Sequence, residues 1–152
     1  MKTLTSLMLA AFCFFWLGTG HGAHIGVVVN KVTKCVDAGS KEPADGTKVT
    51  LQPCKVSDDQ NFHVDGGNVR IKGTRKCLDI GPEEALGTQK FALVVVKACN
   101  AKAPTQYWTI KSHFLNDGVP KKCLAALGEF KDGAHVGLAA CSTSPNQKFG
   151  LD

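Results

Sequence analysis

Three segments of this chain repeat one order of residues, and that repetition restricts the available folds more than any other feature. "KCVDAGSKEPADGTKVTLQPCKVSDDQNF" aligns with "KCLDIGPEEALGTQKFALVVVKACNAKAPTQYW" and with "KCLAALGEFKDGAHVGLAACSTSPNQKF". Each copy runs Lys-Cys-aliphatic, a Gly-containing turn, an alternating apolar strand, a second Cys, a polar loop and then Gln-x-aromatic. The first cysteines stand 42 and 46 residues apart, and the glutamines 46 and 41 apart. Gly46 and Gly133 each lie eight residues before the second cysteine of their copy, whereas Gly87 lies twelve before Cys99, which implies a longer loop in the second copy. A unit of about 42 residues cannot bury both faces of its own strands, so three such units must share one core.

Within a copy the pattern is all strand. "KVTLQ", "NFHV", "NVRI", "LVVVK" and "YWTI" are short, rich in β-branched or aromatic residues, and bounded by Gly, Pro, Asn and Asp. Turn signals such as "ADG", "DGG" and "NDG" recur, the rhythm of a closed all-β domain, and no window after the first residues reads as an amphipathic helix.

The first residues read differently. "MKTLTSLMLAAFCFFWLGTGHGA" has Lys2, an apolar run from Leu7 to Leu17 and then small residues, the order of a secretory signal peptide cut between Gly20 and Ala23. The run is short for a membrane span and nothing like it follows, so membrane insertion is not expected. Residues 1–23 are therefore read as signal peptide and 24–152 as one domain, with copies at roughly 24–66, 67–112 and 113–152. The leader runs straight into the first copy and the chain stops after the third, so no companion domain is expected. Cys13 leaves with the leader, and of seven cysteines six remain: Cys35, Cys54, Cys77, Cys99, Cys123 and Cys141. An even number in an exported chain argues for disulfides, with 15 pairings open on spacing alone. The threefold repeat favours Cys35 with Cys54, Cys77 with Cys99 and Cys123 with Cys141, one local bridge used three times.

Losing Lys2 reduces 18 basic residues to 17 against 13 acidic ones, a modest excess spread along the chain with "KGTRK" its densest patch. No basic helix or aromatic-basic stripe accompanies it, so nucleic acid is not an expected partner. His63, His113 and His135 fall at unrelated phases of the repeat and show no zinc-type spacing, so no metal or cofactor is expected. The paired acids Asp58-Asp59 and Glu83-Glu84 read as adjacent turn charges instead of an acid and base facing across a cleft, and catalysis is not expected.

Three copies of Cys-aliphatic, a second Cys and Gln-x-Trp/Phe, in phase with six cysteines, closely resemble the ricin B-type lectin domain. The resemblance covers essentially the whole of residues 24–152 and implies a β-trefoil, with six strands in a barrel and six in capping hairpins. It also implies a sugar site in each working copy. There an Asp two residues after the first cysteine accepts from sugar hydroxyls, an aromatic before the second cysteine stacks on the sugar, an Asn before the Gln bonds another hydroxyl, and the Gln steadies the Asp. Mapped residue by residue, copy one keeps Asp37 and Gln60 but has Asp59 in the Asn place and Gln52 in the aromatic place. Copy two keeps Asp79 and Gln106, with Thr105 in the Asn place and Lys97 in the aromatic place; the longer loop leaves Phe91 or Tyr107 as substitutes. Copy three keeps Asn146 and Gln147 but has Ala125 for the Asp and Ala139 for the aromatic, and on this resemblance binds no sugar.

Gln60, Gln106 and Gln147, with Phe62, Trp108 and Phe149, are read first as core structure. Asp37 and Asp79 are read either as sugar acceptors or as Asx-turn residues bonding their own backbone. The resulting expectation is a secreted, extracellular, non-catalytic lectin-like protein that binds galactose-like or other glycans through Asp37, Asp59, Gln60, Asp79 and Gln106. The alternative is a disulfide-stapled trefoil whose lectin sites are lost and whose loops bind a protein, as a hydrolase inhibitor or a secreted effector.

Overall fold

The computed structural model describes residues 22–152. The signal peptide read over residues 1–23 lies outside the described residues apart from Gly22 and Ala23. Ala23 already belongs to the fold: its N–H and C=O exchange hydrogen bonds of 2.8 and 2.9 Å with Phe62.

Thirteen strands and three short 3₁₀ turns make up the regular structure of these residues. Copy one holds β1 (Ile25–Val29), β2 (Val32–Asp37), β3 (Thr47–Lys48), β4 (Thr50–Gln52) and β5 (Phe62–Asp65). Copy two holds β6 (Asn68–Ile71), β7 (Lys76–Leu86), β8 (Gln89–Ala98) and β9 (Trp108–Ile110). Copy three holds β10 (Phe114–Asn116), β11 (Lys122–Ala126), β12 (Val136–Ala140) and β13 (Phe149–Leu151). The run "KVTLQ" is thus two short strands, because Val49 donates to Val94 instead of continuing the ladder of its own copy.

The pairing is cyclic. Each copy's last strand pairs with the first strand of the next: Phe62 lies opposite Ile71, Trp108 opposite Asn116, and Phe149 opposite Val27, so the third copy closes onto the first. Inside each copy the register is the same as well. Cys35, Val36 and Asp37 face Gln52, Leu51 and Thr50; Cys77, Leu78 and Asp79 face Lys97, Val96 and Val95; Cys123, Leu124 and Ala125 face Ala139, Leu138 and Gly137. A ring of this kind leaves few strand edges, which is how all-β domains avoid open pairing.

Side chains alternate across the strands, and one face of each fills the common core. Val36, Leu78 and Leu124, with Leu51, Val96, Leu138 and the aromatics Phe62, Trp108 and Phe149, are all buried there. Phe114 and Phe149 meet edge to face with ring centres 6.4 Å apart. The cysteines pair within copies, Cys35–Cys54, Cys77–Cys99 and Cys123–Cys141, with the first of each pair buried. Between copies the lysine before the first cysteine reaches back to an Asp-Gly turn: Lys34 to Asp132, and Lys76 to Asp45 at 2.7 Å. That contact, together with the Ala98 amide and against some desolvation, holds Asp45 below the usual carboxylate range.

Copy two departs from its siblings. Its extra residues do not form a longer loop: β7 and β8 keep pairing out to Leu86 opposite Gln89, with a bulge between Ile80 and Glu83. Glu83 and Glu84 therefore lie in a strand and not in a turn, and Glu84 pairs with Lys48 at 2.6 Å. The arm crosses copy three where Gly137 faces Leu93. A Cβ on Gly137 would stand 2.6 Å from Leu127 Cδ1 and 2.7 Å from the Ala92 carbonyl oxygen. Gly137→Ala is therefore expected to push β8 off β12 and cost about 1–3 kcal/mol, as overpacking does. Urea unfolding measures this, and a variant as stable as the parent would show that the two strands do not approach so closely.

Candidate functional site

The three glutamines do one job in the loop behind the second cysteine. Gln60 Oε1 accepts the Lys55 amide at 2.9 Å while Nε2 donates to the Pro53 carbonyl at 3.0 Å. Gln106 does the same with Asn100 and Ala98, and Gln147 with Ser142 and Ala140. Each follows a one-turn 3₁₀ segment that ends on it (Asp58–Gln60, Pro104–Gln106, Pro145–Gln147) and buries it beside the core aromatic two residues on. In copies one and two the second Nε2 hydrogen reaches the acid, 3.0 Å to Asp37 Oδ2 and 3.0 Å to Asp79 Oδ2. Copy three has Ala125 there and keeps only the loop bonds.

Copy one brings its candidates together. Asp37 Oδ1 accepts the Gly39 amide at 2.7 Å, the Asx turn that an Asp at a strand end makes, and the residue is only 4% exposed. Its carboxylate nevertheless lines a cavity of about 410 Å³ that Asp59, Gln52 and Thr50 also line. The residue that sequence reasoning missed is Lys55. Its Nζ stands 3.3 Å from Asp59 Oδ2 and 3.8 Å from Asp37 Oδ2, so two carboxylates share one ammonium. The i,i+4 spacing from Lys55 to Asp59 was the only sequence signal for it. Burial tends to raise the Asp59 pKa, but hydrogen bonds from the Ser57 hydroxyl and Lys55 outweigh it and hold Asp59 below the ordinary carboxylate range. Gln52, in the aromatic place, donates to Thr50 Oγ1 at 3.3 Å and offers no stacking face.

Copy two keeps the pair but changes the surroundings. Asp79 Oδ1 accepts the amide of the next residue, Ile80, at 2.7 Å, because the chain runs on as strand where copy one turns. Lys97 Nζ donates to the Ile80 carbonyl at 3.3 Å. Neither substitute aromatic joins this pair. Tyr107 packs over Gly67 and donates its hydroxyl to the Ala101 carbonyl at 3.0 Å. Phe91 packs instead on a small apolar cluster of Leu93, Ala125 and Leu127. That cluster occupies the place of the copy-three acid: Ala125 is fully buried, with Phe91, Leu86 and Ala139 against it. Asn146 still bonds the Ala126 carbonyl at 3.0 Å, but its Oδ1 is buried without a partner among the described residues.

The histidines stay apart. His113 bonds the Ser142 carbonyl at 2.7 Å, His135 faces Thr50 across an isolated bridge, and His63 lies in β5.

Comparison with known proteins agrees with this frame. Among solved structures, the C-terminal half of an earthworm R-type lectin in complex with GalNAc superposes with a TM-score of 0.71 at 20% identity, covering 87% of this chain and 98% of that one. A mutant of the earthworm lectin C-terminal domain in complex with 6'-sialyllactose gives 0.69 at 20% identity, covering 87% and 98%. The designed threefold-symmetric protein ThreeFoil gives 0.66 at 20% identity, covering 84% and 96%. At such identities the likeness is one of fold. No curated protein sequence matches the chain. The sequence does match the family model of the ricin-type beta-trefoil lectin domain over residues 24–149. With three copies, three intra-copy disulfides and the cyclic register all in place, the chain belongs to the ricin-type β-trefoil lectin domain family.

Proposed function

We propose that this protein is an exported, non-catalytic glycan-binding protein whose principal site is in copy one. The observation that carries the reading is the cavity in which Asp37, held by Gln60, meets Asp59 and Lys55. Asp37 and Asp59 accept from sugar hydroxyls, Lys55 donates to a ring or hydroxyl oxygen, and Gln60 fixes the Asp37 carboxylate so that little ordering remains for binding. Asp79, held by Gln106 as Asp37 is by Gln60, forms a secondary site. With no aromatic platform at Gln52 or Lys97 each site is weak, and retention on a glycosylated surface relies on several contacts at once. Export places the protein outside the cell, where its three disulfides persist.

A glycan array followed by titration tests the site. Asp37→Ala is expected to weaken binding at least about tenfold, equivalent to about 1.4 kcal/mol. Asp37→Asn, which keeps an acceptor for Gln60, separates lost recognition from lost stability. The sign of the pH effect follows from Asp59: its folded pKa lies below the ordinary value, so its ionised form is kept as pH falls through the ordinary carboxylate range and is lost only in stronger acid. The part of binding that depends on Asp59 is therefore lost at a lower pH than an unshifted carboxylate would lose it. An array silent for the parent chain would move the reading to a protein-binding trefoil, which the non-aromatic residues Gln52, Lys97 and Ala139 favour.

A further inference from the structure

The threefold cycle of lysine bridges is broken once. Lys34 and Lys76, each directly before its copy's first cysteine, bond Asp132 and Asp45 of a neighbouring copy. Asp45 Oδ1 takes two donors, Lys76 Nζ at 2.7 Å and the Ala98 amide at 3.0 Å, and Ala98 is the residue opposite Lys76 in the ladder. The third lysine in the cycle is Lys122, whose neighbour is copy two. There the residue before the turn glycine is Leu86 at the tip of the long arm, where the siblings have Asp45 and Asp132. Among the described residues no carboxylate lies within ion-pair distance of Lys122.

Lys122 and the residue opposite it, Ala140, instead line a cavity of about 340 Å³ between the arm and β12. Its apolar walls are Phe91, Ala92, Val119, Leu138 and Ala139. The other charged residues lining it, Glu83 and Lys90, cancel in formal charge, which leaves one positive charge at Lys122. Two of these walls, Phe91 and Ala139, pack against the apolar cluster that replaced the copy-three acid, which fixes them in place. Apolar walls with a few polar groups are the usual make-up of a small-molecule pocket.

We propose that this cavity binds a small monocarboxylate with an apolar body, aromatic or branched aliphatic. The ligand carboxylate takes the place on Lys122 that Asp45 takes on Lys76, with the Ala140 amide corresponding to that of Ala98. The apolar body lies against Phe91, Leu138 and Ala139. A sugar is a poorer match than a ligand with an apolar body, because the side chains of Phe91, Val119, Leu138 and Ala139 offer its hydroxyls no hydrogen bond. The site is separate from the copy-one cavity and does not depend on glycan binding there.

The test uses the full chain expressed through a secretory host, in carboxylate-free buffer, titrated with 3-phenylpropionate and with its uncharged analogue 3-phenylpropanamide while amide resonances are followed by NMR. The acid is expected to shift the amides of Phe91, Lys122 and Ala140 and to bind at least tenfold more tightly than the amide. Lys122→Met is expected to remove at least tenfold of the acid's affinity and little of the amide's, Phe91→Ala to weaken both, and Lys76→Met to leave both unchanged. Equal binding of acid and amide, shifts confined to other residues, or an unaffected Lys122→Met would each overturn the proposal.

Discussion

Trp108→Ala is expected to lower the unfolding free energy by about 3–5 kcal/mol, the cost of emptying a large aromatic site in a core. In a domain of this size that is a fall in Tm of roughly 10–20 °C. Trp108 is 3% exposed, packs with Leu78 and Leu124 in the common core, and its indole N–H points to the Leu78 carbonyl at 3.5 Å. It also sits on the strand that joins copy two to copy three, opposite Asn116, so the loss falls on a contact between copies as well as within one. The cycle makes the same demand of Phe62 and Phe149, which join the other pairs of copies. Phe62→Ala and Phe149→Ala are accordingly expected to cost about as much, while Thr109→Ala on the exposed face of the same strand should stay within about 0.5 kcal/mol. Thermal unfolding of the four variants measures this. A cost below about 1 kcal/mol for any of the three aromatics would mean that its repeat does not contribute to the shared core.

Removing one disulfide by paired Cys→Ala substitution is expected to cost about 3 kcal/mol, whichever of the three is chosen. The sequence separations are 19, 22 and 18 residues, and loop-closure entropy depends on the logarithm of loop length, so the three losses should agree to within a few tenths of a kcal/mol. The local folded environments are alike as well, since each first cysteine is buried in the second strand of its copy and the bridge ties that strand to the loop steadied by a buried glutamine. Urea unfolding of Cys35→Ala/Cys54→Ala, Cys77→Ala/Cys99→Ala and Cys123→Ala/Cys141→Ala gives the comparison. One double variant far less stable than its siblings would show that its bridge restrains something the repeat does not share; the β7–β8 arm makes Cys77–Cys99 the pair to watch.

The repeats, the disulfide partners and the core aromatics were legible in the sequence because each is written in order along the chain. A cysteine recurring at one phase of a repeat meets the same partner each time, and an aromatic two residues after a buried glutamine faces the same axis each time. What the repeat could not convey is how neighbouring copies meet. The extra residues of copy two read as a loop because Gly87 lies twelve residues before Cys99, yet they continue a ladder, since "FALVVV" supplies strand-forming residues up to the turn. Lys55 went unnoticed beside Cys54 because only the folded loop turns its ammonium toward Asp37, 18 residues earlier in the chain.

By itself the sequence determined three all-β copies that share one core and are stapled copy by copy, because a unit of that length cannot bury its own strands; the β-trefoil was what its resemblance to the ricin B-type lectin domain implied. The tertiary structure alone decided which carboxylates share a cavity with a cation, that the arm of copy two packs against the cluster holding Ala125, and that Lys122 meets no acid among the described residues. Those outcomes are set by distances between residues of different copies, and such distances depend on how strands from separate copies pack across the axis, which no local pattern encodes.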